Sequence, residues 1–168
     1  MRGQALSASI KLTLREAYFG SSRMINIGNS TIKVNIKPGV RDGQTLRIKG
    51  KGNAGTNGGE NGDLLMNISI ENDPVYQREG DDLVRNLNVD IYTAILGGKI
   101  EVDTLKGAVS VPIKPHTQNN SVLRLKGFGM PHYNKEGSGA LLVKVQLALP
   151  ERFSNKELEL IQQASNAR

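Results

Sequence analysis

Four groups of residues have types and spacing that could carry chemistry. Gly50-Lys-Gly52-Asn-Ala-Gly55 matches the glycine pattern of dinucleotide-binding turns and follows an expected strand. It runs into Thr56-Asn57-Gly58-Gly59, however, so no helix N-terminus follows to receive a pyrophosphate. The related stretch Gly127-Phe-Gly129-Met-Pro-His drops the third glycine, and both read as turns without a cofactor. His116 and His132 are the only histidines, neither has metal-site spacing, and there is no Cys to complete a zinc site, so no metal is expected. Asp81 and Asp82 are adjacent, which on a strand sends them to opposite faces, so they are poorly placed to share a substrate as acid and base. They read as a solvated turn. The serines form no nucleophile elbow. No catalytic residue is expected, and the chain reads as a non-enzyme.

The elements around these residues come in two copies. Ile36 to Gly52, IKPGVRDGQTLRIKGKG, returns as Ile113 to Gly129, IKPHTQNNSVLRLKGFG, at a shift of 77 positions. The same shift carries Gly3 onto Gly80, Ala17 onto Ala94, Gly20 onto Gly97 and Leu64-Leu65 onto Leu141-Leu142. A register held without a gap over this length signals tandem copies of one fold. The boundaries fall at residues 1–79, 80–150 and 151–168, the last being a terminal helix.

A chain of 168 residues with 4% aromatics, no Trp and a hydrophobic complement of mostly Ile, Leu and Val suits thin sheets. Each repeat is close to the size at which one core becomes marginal, so each is expected to lean on its neighbour or on a partner chain. Without Cys no disulfide framework is possible. The N-terminal residues lack a signal-peptide pattern, and the longest aliphatic run, Ala140 to Val143, is far too short to span a bilayer. A soluble, cytoplasmic protein is expected. The net charge is +6 and Lys33 to Lys51 holds six cations against Asp42 alone. That run suits a nucleic acid, an acidic peptide or plain solvation of a sheet edge.

Leu6, Ala8, Ile10, Leu12 and Leu14 alternate with polar residues, a half-buried strand. Thr13-x-x-Glu16 is a capping box for one helical turn ending at Gly20. A hairpin follows with Ile25 and Ile27 on one arm and Ile32, Val34 and Ile36 on the other, then strands at Thr45 to Lys49 and from Leu64 to Ile70. The second repeat runs through the same series. After Pro150 the period becomes helical: Ser154-x-x-Glu157 is a second capping box, Phe153 and Leu158 stand at staple positions, and Leu158, Ile161 and Ala164, or Leu160, Ala164 and Ala167, make a stripe that suits its own unit or another chain. Leu12, Leu14, Ile25, Ile27 and Val34 converge on a sheet too small to cover both faces, with Tyr76 at the inter-repeat joint. They serve either as ordinary core or as an open apolar groove beside a strand edge, a device that pairs with a peptide backbone and pockets its side chains.

Leu12-Thr-Leu-Arg-Glu-Ala-Tyr-Phe-Gly20, Ile36-Lys-Pro-Gly39, Gly62-Asp63-Leu64, Asp73-Pro74-x-Tyr76-x-Arg78-x-Gly80-Asp-Asp-Leu83 and Gly97-Gly98 resemble, in order, the C-terminal region of the DnaJ family of co-chaperones. The resemblance covers nearly the whole chain and is nearest the zinc-free subclass, which includes a curved-DNA-binding relative. It implies a mainly β fold of two tandem β-barrel or sandwich-like subdomains with short helices, a client-peptide groove on the first, and a C-terminal amphipathic helix. By position it implies a groove of Leu12, Leu14, Ile25, Ile27, Val34 and Tyr76. Arg23 stands where the family meets the acidic tail of a DnaK-type heat-shock chaperone, and Asn26 where a lysine is frequent. The helix, with Phe153, Leu158, Ile161 and Ala164, is implied to make a homodimer. Unfolded polypeptides are the implied clients, and DNA the alternative partner. No His-Pro-Asp tripeptide occurs, so stimulation of the partner's ATPase is not expected.

Overall fold

A computed structural model describes residues 1–168. The elements are β1 (Leu6–Leu12), α1 (Leu14–Phe19), β2 (Ser21–Ile27), β3 (Ser30–Ile36), β4 (Thr45–Ile48), β5 (Leu64–Ile70), β6 (Gln77–Glu79), β7 (Asp82–Asp90), α2 (Ile91–Leu96), β8 (Gly98–Thr104), β9 (Gly107–Ile113), β10 (Val122–Leu125), β11 (Leu141–Ala148) and α3 (Asn155–Asn166). The fold is mainly β, as the alternating apolar pattern requires. Hydrogen bonding orders the strands as β1-β5-β4, β10-β11-β7-β6, β2-β3 and β8-β9. The strand missing from the sequence reading is β6, three residues long, which pairs antiparallel with β7 through Arg78 opposite Leu83.

The chain forms two compact units. One comprises residues 1–85, 104–107 and 124–142, the other residues 86–103, 108–123 and 143–168.

In the first unit β5 is the central strand. It runs parallel to β1, with Ala8 opposite Met66 and Ile10 opposite Ile68, and antiparallel to β4, with Leu46 opposite Met66. Parallel neighbours need a long crossover, and everything from α1 through β4 supplies it. Because side chains alternate across a strand, Leu64, Met66 and Ile68 are buried while Asn67 and Ser69 face out. Leu12, Leu14, Ala17, Tyr18, Val34 and Ile36 complete that core. The capping box starting α1 is formed as expected: Glu16 N–H donates to Thr13 Oγ1 and Thr13 N–H to Glu16 Oε1, both at 3.1 Å. Gly20, at φ +81°, ends the helix where a Cβ would lie 2.9 Å from the Ile36 carbonyl oxygen and 3.0 Å from Pro38.

In the second unit α2 is capped by Asp90, 77 positions from Thr13, whose carboxylate accepts from Thr93 N–H at 2.9 Å. The cap chemistry survives the change of residue. Ser154 and Glu157 form the capping box of α3, and Tyr92 Oη donates to Glu157 Oε2 at 2.8 Å. None of the residues of α3 is buried. Leu158, Leu160 and Ile161 are exposed, as are Ile95 and Leu96 on α2. No helix is long and apolar enough to cross a membrane.

Candidate functional site

A cleft of ≈ 640 Å³ opens on the first unit, within the size range of small-ligand and side-chain pockets. Leu14, the first residue of α1, lies in it because the capping box turns the chain into the helix at that point. Ile70, the last residue of β5, and Tyr76, in the segment before β6, make its apolar wall. Arg41 and Asp42, from the connection between β3 and β4, line it too, as do Arg78 and Gly80.

Two carboxylates shape the apolar wall by satisfying backbone donors. Asp42 Oδ1 accepts from Ile70 N–H at 2.8 Å, holding the end of β5 to the β3–β4 connection. Asp73 Oδ2 accepts from both Val75 and Tyr76 N–H at 2.9 Å, a side-chain turn that sets the direction of Tyr76. The Arg85 guanidinium lies 5.7 Å from the Tyr76 ring centroid, within cation–π range. Sequence reasoning placed Asp73-Pro74 in a kinked joint and counted Asp42 only as a charge, and it assigned neither carboxylate a part in shaping the cleft.

Asp81 is not the solvated turn residue expected from its neighbour Asp82. Its side chain is mostly buried and sits among three donors: His132 Nδ1 at 2.7 Å, Arg78 at 3.4 Å and Arg41 at 3.5 Å. Burial pushes its carboxyl up, yet His132 and the two guanidinium groups together hold it below the usual aspartate value. Asp82 is also engaged, accepting from Ala140 N–H at 2.8 Å. Nothing in the sequence spacing links residues 41, 78, 81 and 132.

The groove residues expected from sequence fall into three settings. Leu14 and Tyr76 both line the cleft, Tyr76 half-buried and Leu14, at 4% exposed, reaching it from the core. Arg23, Ile25 and Ile27 stand half-buried on one face of β2, and Asn26 is exposed on the other. Leu12 and Val34 are enclosed in the core, 0% and 3% exposed, where they support a wall without presenting surface. Arg23 donates to Glu16 Oε2 at 2.7 Å and to the Lys11 carbonyl at 3.3 Å. The Thr13 amide first, and Arg23 after it, keep Glu16 below its ordinary value. In the second repeat Val102 and Thr104, 77 positions from Ile25 and Ile27, are buried. Of the helix residues, Phe153 is half-buried, while Leu158, Ile161 and Ala164 are exposed.

The basic run is partly absorbed by its own fold. Arg47 lies 3.4 Å from Asp63, which also pairs with Arg2 at 3.1 Å and accepts from Gly50 N–H at 3.1 Å. Lys37 donates to Asn134 at 3.0 Å. Asp63 thus pins the glycine-rich turn that resembled a phosphate loop to the start of β5.

The family model of the DnaJ C terminal domain matches residues 6–150. This chain belongs to the DnaJ family. Among curated relatives, Chaperone protein DnaJ 2 of Thermus thermophilus is 37% identical over 166 residues, 99% of this chain and 58% of that protein. Chaperone protein DnaJ of Halobacterium salinarum is 41% identical over 138 residues, 82% of this chain and 35% of the relative. That of Prosthecochloris aestuarii is 39% identical over 143 residues, 85% of this chain and 36% of the relative. The chain therefore spans roughly a third to three-fifths of these chaperones and corresponds to a C-terminal region of the DnaJ family. Within that DnaJ region the cleft and the inner face of β2 lie in the first compact unit.

Proposed function

We propose that this chain is the client-binding region of a DnaJ-type co-chaperone, acting in the cytoplasm without catalysis or cofactor. Its first repeat, residues 1–79, holds an extended apolar segment of unfolded polypeptide. The segment lies along β2, over Ile25 and Ile27, and places a side chain against Leu14, Ile70 and Tyr76. The observation that carries this reading is the open cleft lined by Leu14 and Tyr76 in a unit whose Ile25 and Ile27 keep exposed surface. The buried state of Val102 and Thr104 supports assigning one such surface to each chain, on the first repeat. The unpaired edges of the two-stranded β2-β3 sheet suit backbone pairing with a client. The client then passes to a DnaK-type chaperone, whose acidic tail meets Arg23 by displacing Glu16.

Adding an unlabelled extended peptide with Leu and Phe side chains to isotope-labelled protein tests the assignment. Backbone resonances of Leu14, Ile25, Ile27 and Tyr76 are expected to shift together. Shifts confined to residues outside the first repeat would remove the site from it.

The helix α3 joins two copies. A twelve-residue helix is marginal alone in water, and this one buries none of its side chains within the chain, so a second copy gives Leu158, Leu160 and Ile161 a partner. Pairing presents two client sites at once and raises avidity. Removing residues 151–168 is expected to halve the mass seen by light scattering. A truncated chain that keeps the parent's mass assigns the interface elsewhere.

A further inference from the structure

Arg78 lines the cleft described above. Its guanidinium donates from Nε to the Gly80 carbonyl at 2.8 Å, from one terminal nitrogen to the Val40 carbonyl at 2.6 Å and from the other to the Gly39 carbonyl at 3.0 Å. The last nitrogen also faces Asp81 at 3.4 Å. The side chain is only 14% exposed, although its residue lines the cleft. Gly39 and Val40 belong to the connection that carries Arg41 and Asp42, whereas Arg78 belongs to β6, directly after Tyr76 and Gln77. The guanidinium thus ties the β3–β4 connection to the β6 segment by hydrogen bonds to main-chain carbonyls, and both segments contribute lining residues to the cleft.

The acceptor side cannot easily relax. Gly39 sits at φ +90°, and a Cβ there would lie 2.4 Å from the Pro131 carbonyl oxygen. Its N–H donates to the Ala17 carbonyl at 2.8 Å. Two buried carbonyls deprived of the fork would have to find other donors or water, which moves the connection. A planar group with donors in fixed directions sets a distance, which a single ammonium on a flexible stem does not.

We infer that Arg78 is a specificity-determining strut: by fixing the separation of the Arg41–Asp42 connection from Tyr76, it decides which size of client side chain the cleft accepts. The inference rests on the client-binding reading above. It goes further by assigning the size limit to a residue that presents little surface to the client.

The test uses the full chain and fluorescein-labelled ten-residue peptides of Ser and Asn carrying one central Leu, Phe or Trp. In Arg78→Lys the charge stays while the three-way fork is lost. The affinity for the Trp peptide relative to the Leu peptide is expected to rise at least threefold over wild type, in protein with unchanged circular dichroism. A purely structural arginine lowers all three affinities together and leaves that ratio alone, which would overturn the inference. If Arg78→Lys does not fold, Asp81→Asn loosens the same guanidinium, and an unmoved ratio in that variant overturns it equally. The client-binding reading fails separately, and takes the strut with it, if wild type binds none of the peptides or Tyr76→Asp leaves their binding intact. Binding abolished by Tyr76→Asp with a ratio indifferent to Arg78→Lys sinks the strut alone.

Discussion

Ile25→Asp combined with Tyr76→Asp is expected to weaken binding of an extended apolar client about 100-fold or more, and to end suppression of client aggregation, while circular dichroism stays as in the parent. Fully burying one large apolar side chain is worth about 1.5–3 kcal/mol, of which half-buried Ile25 and Tyr76 each have roughly half left to gain, and each 1.4 kcal/mol is about tenfold in affinity. Two such anchors account for about 10- to 100-fold, and the desolvation of a carboxylate left under a bound client brings the loss to the stated size. The fold tolerates both changes because each side chain retains solvent access in the free protein. The contrast is Val34→Ala, at a position 3% exposed, which should lower stability before it touches affinity. Aggregation of a denatured client followed by light scattering reads the outcome. A folded double variant that protects the client as well as wild type would remove Ile25 and Tyr76 from the site.

Met66→Ala should produce the largest loss of stability. Met66 lies on β5 between Ala8 of β1 and Leu46 of β4, and no solvent reaches it. Truncation leaves a void at the centre of the three-stranded sheet, since Ala8 is too small to fill it, and buried Met to Ala costs about 2–5 kcal/mol. For a chain of this size that lowers the melting temperature by about 5–15 °C. Ser69→Ala, three residues along the same strand on its exposed face, should stay within about 0.5 kcal/mol of wild type. Similar losses in the two variants would mean that β5 does not alternate between core and solvent as described. Because β5 ends in Ile70, which walls the cleft, Met66→Ala should also lower the temperature at which client binding disappears.

Period-two alternation made most strands readable: Leu6 to Leu12 and Leu64 to Ile70 each put every second residue into one core. Local chemistry made the helix starts readable, because Thr13 with Glu16 and Ser154 with Glu157 are three apart and their bonds form within one turn. Strand β6 escaped notice because three residues are too few to show a period, and Arg78 owes its place to pairing with Leu83. The groove was legible only in part. Tyr76, Ile25 and Ile27 keep some exposed surface, whereas Leu12, Leu14 and Val34, equally apolar in the sequence, are at most 4% exposed and belong to the core, with only Leu14 also reaching the cleft. Apolar character marks a residue as avoiding water without saying whether the fold has enough surface to cover it.

The amino-acid order alone determined the duplication, the β character, the two capping boxes and the family, because each depends on residues at fixed separations along one chain. Tertiary structure decided the rest. It drew Asp81 to His132, 51 residues away, set the fork of Arg78 on the carbonyls of Gly39 and Val40, and left Ile25 half open while Val102 closed. Those outcomes turn on which donors meet which acceptors and on how much surface remains after packing. Both are fixed only when distant segments of the chain are brought together.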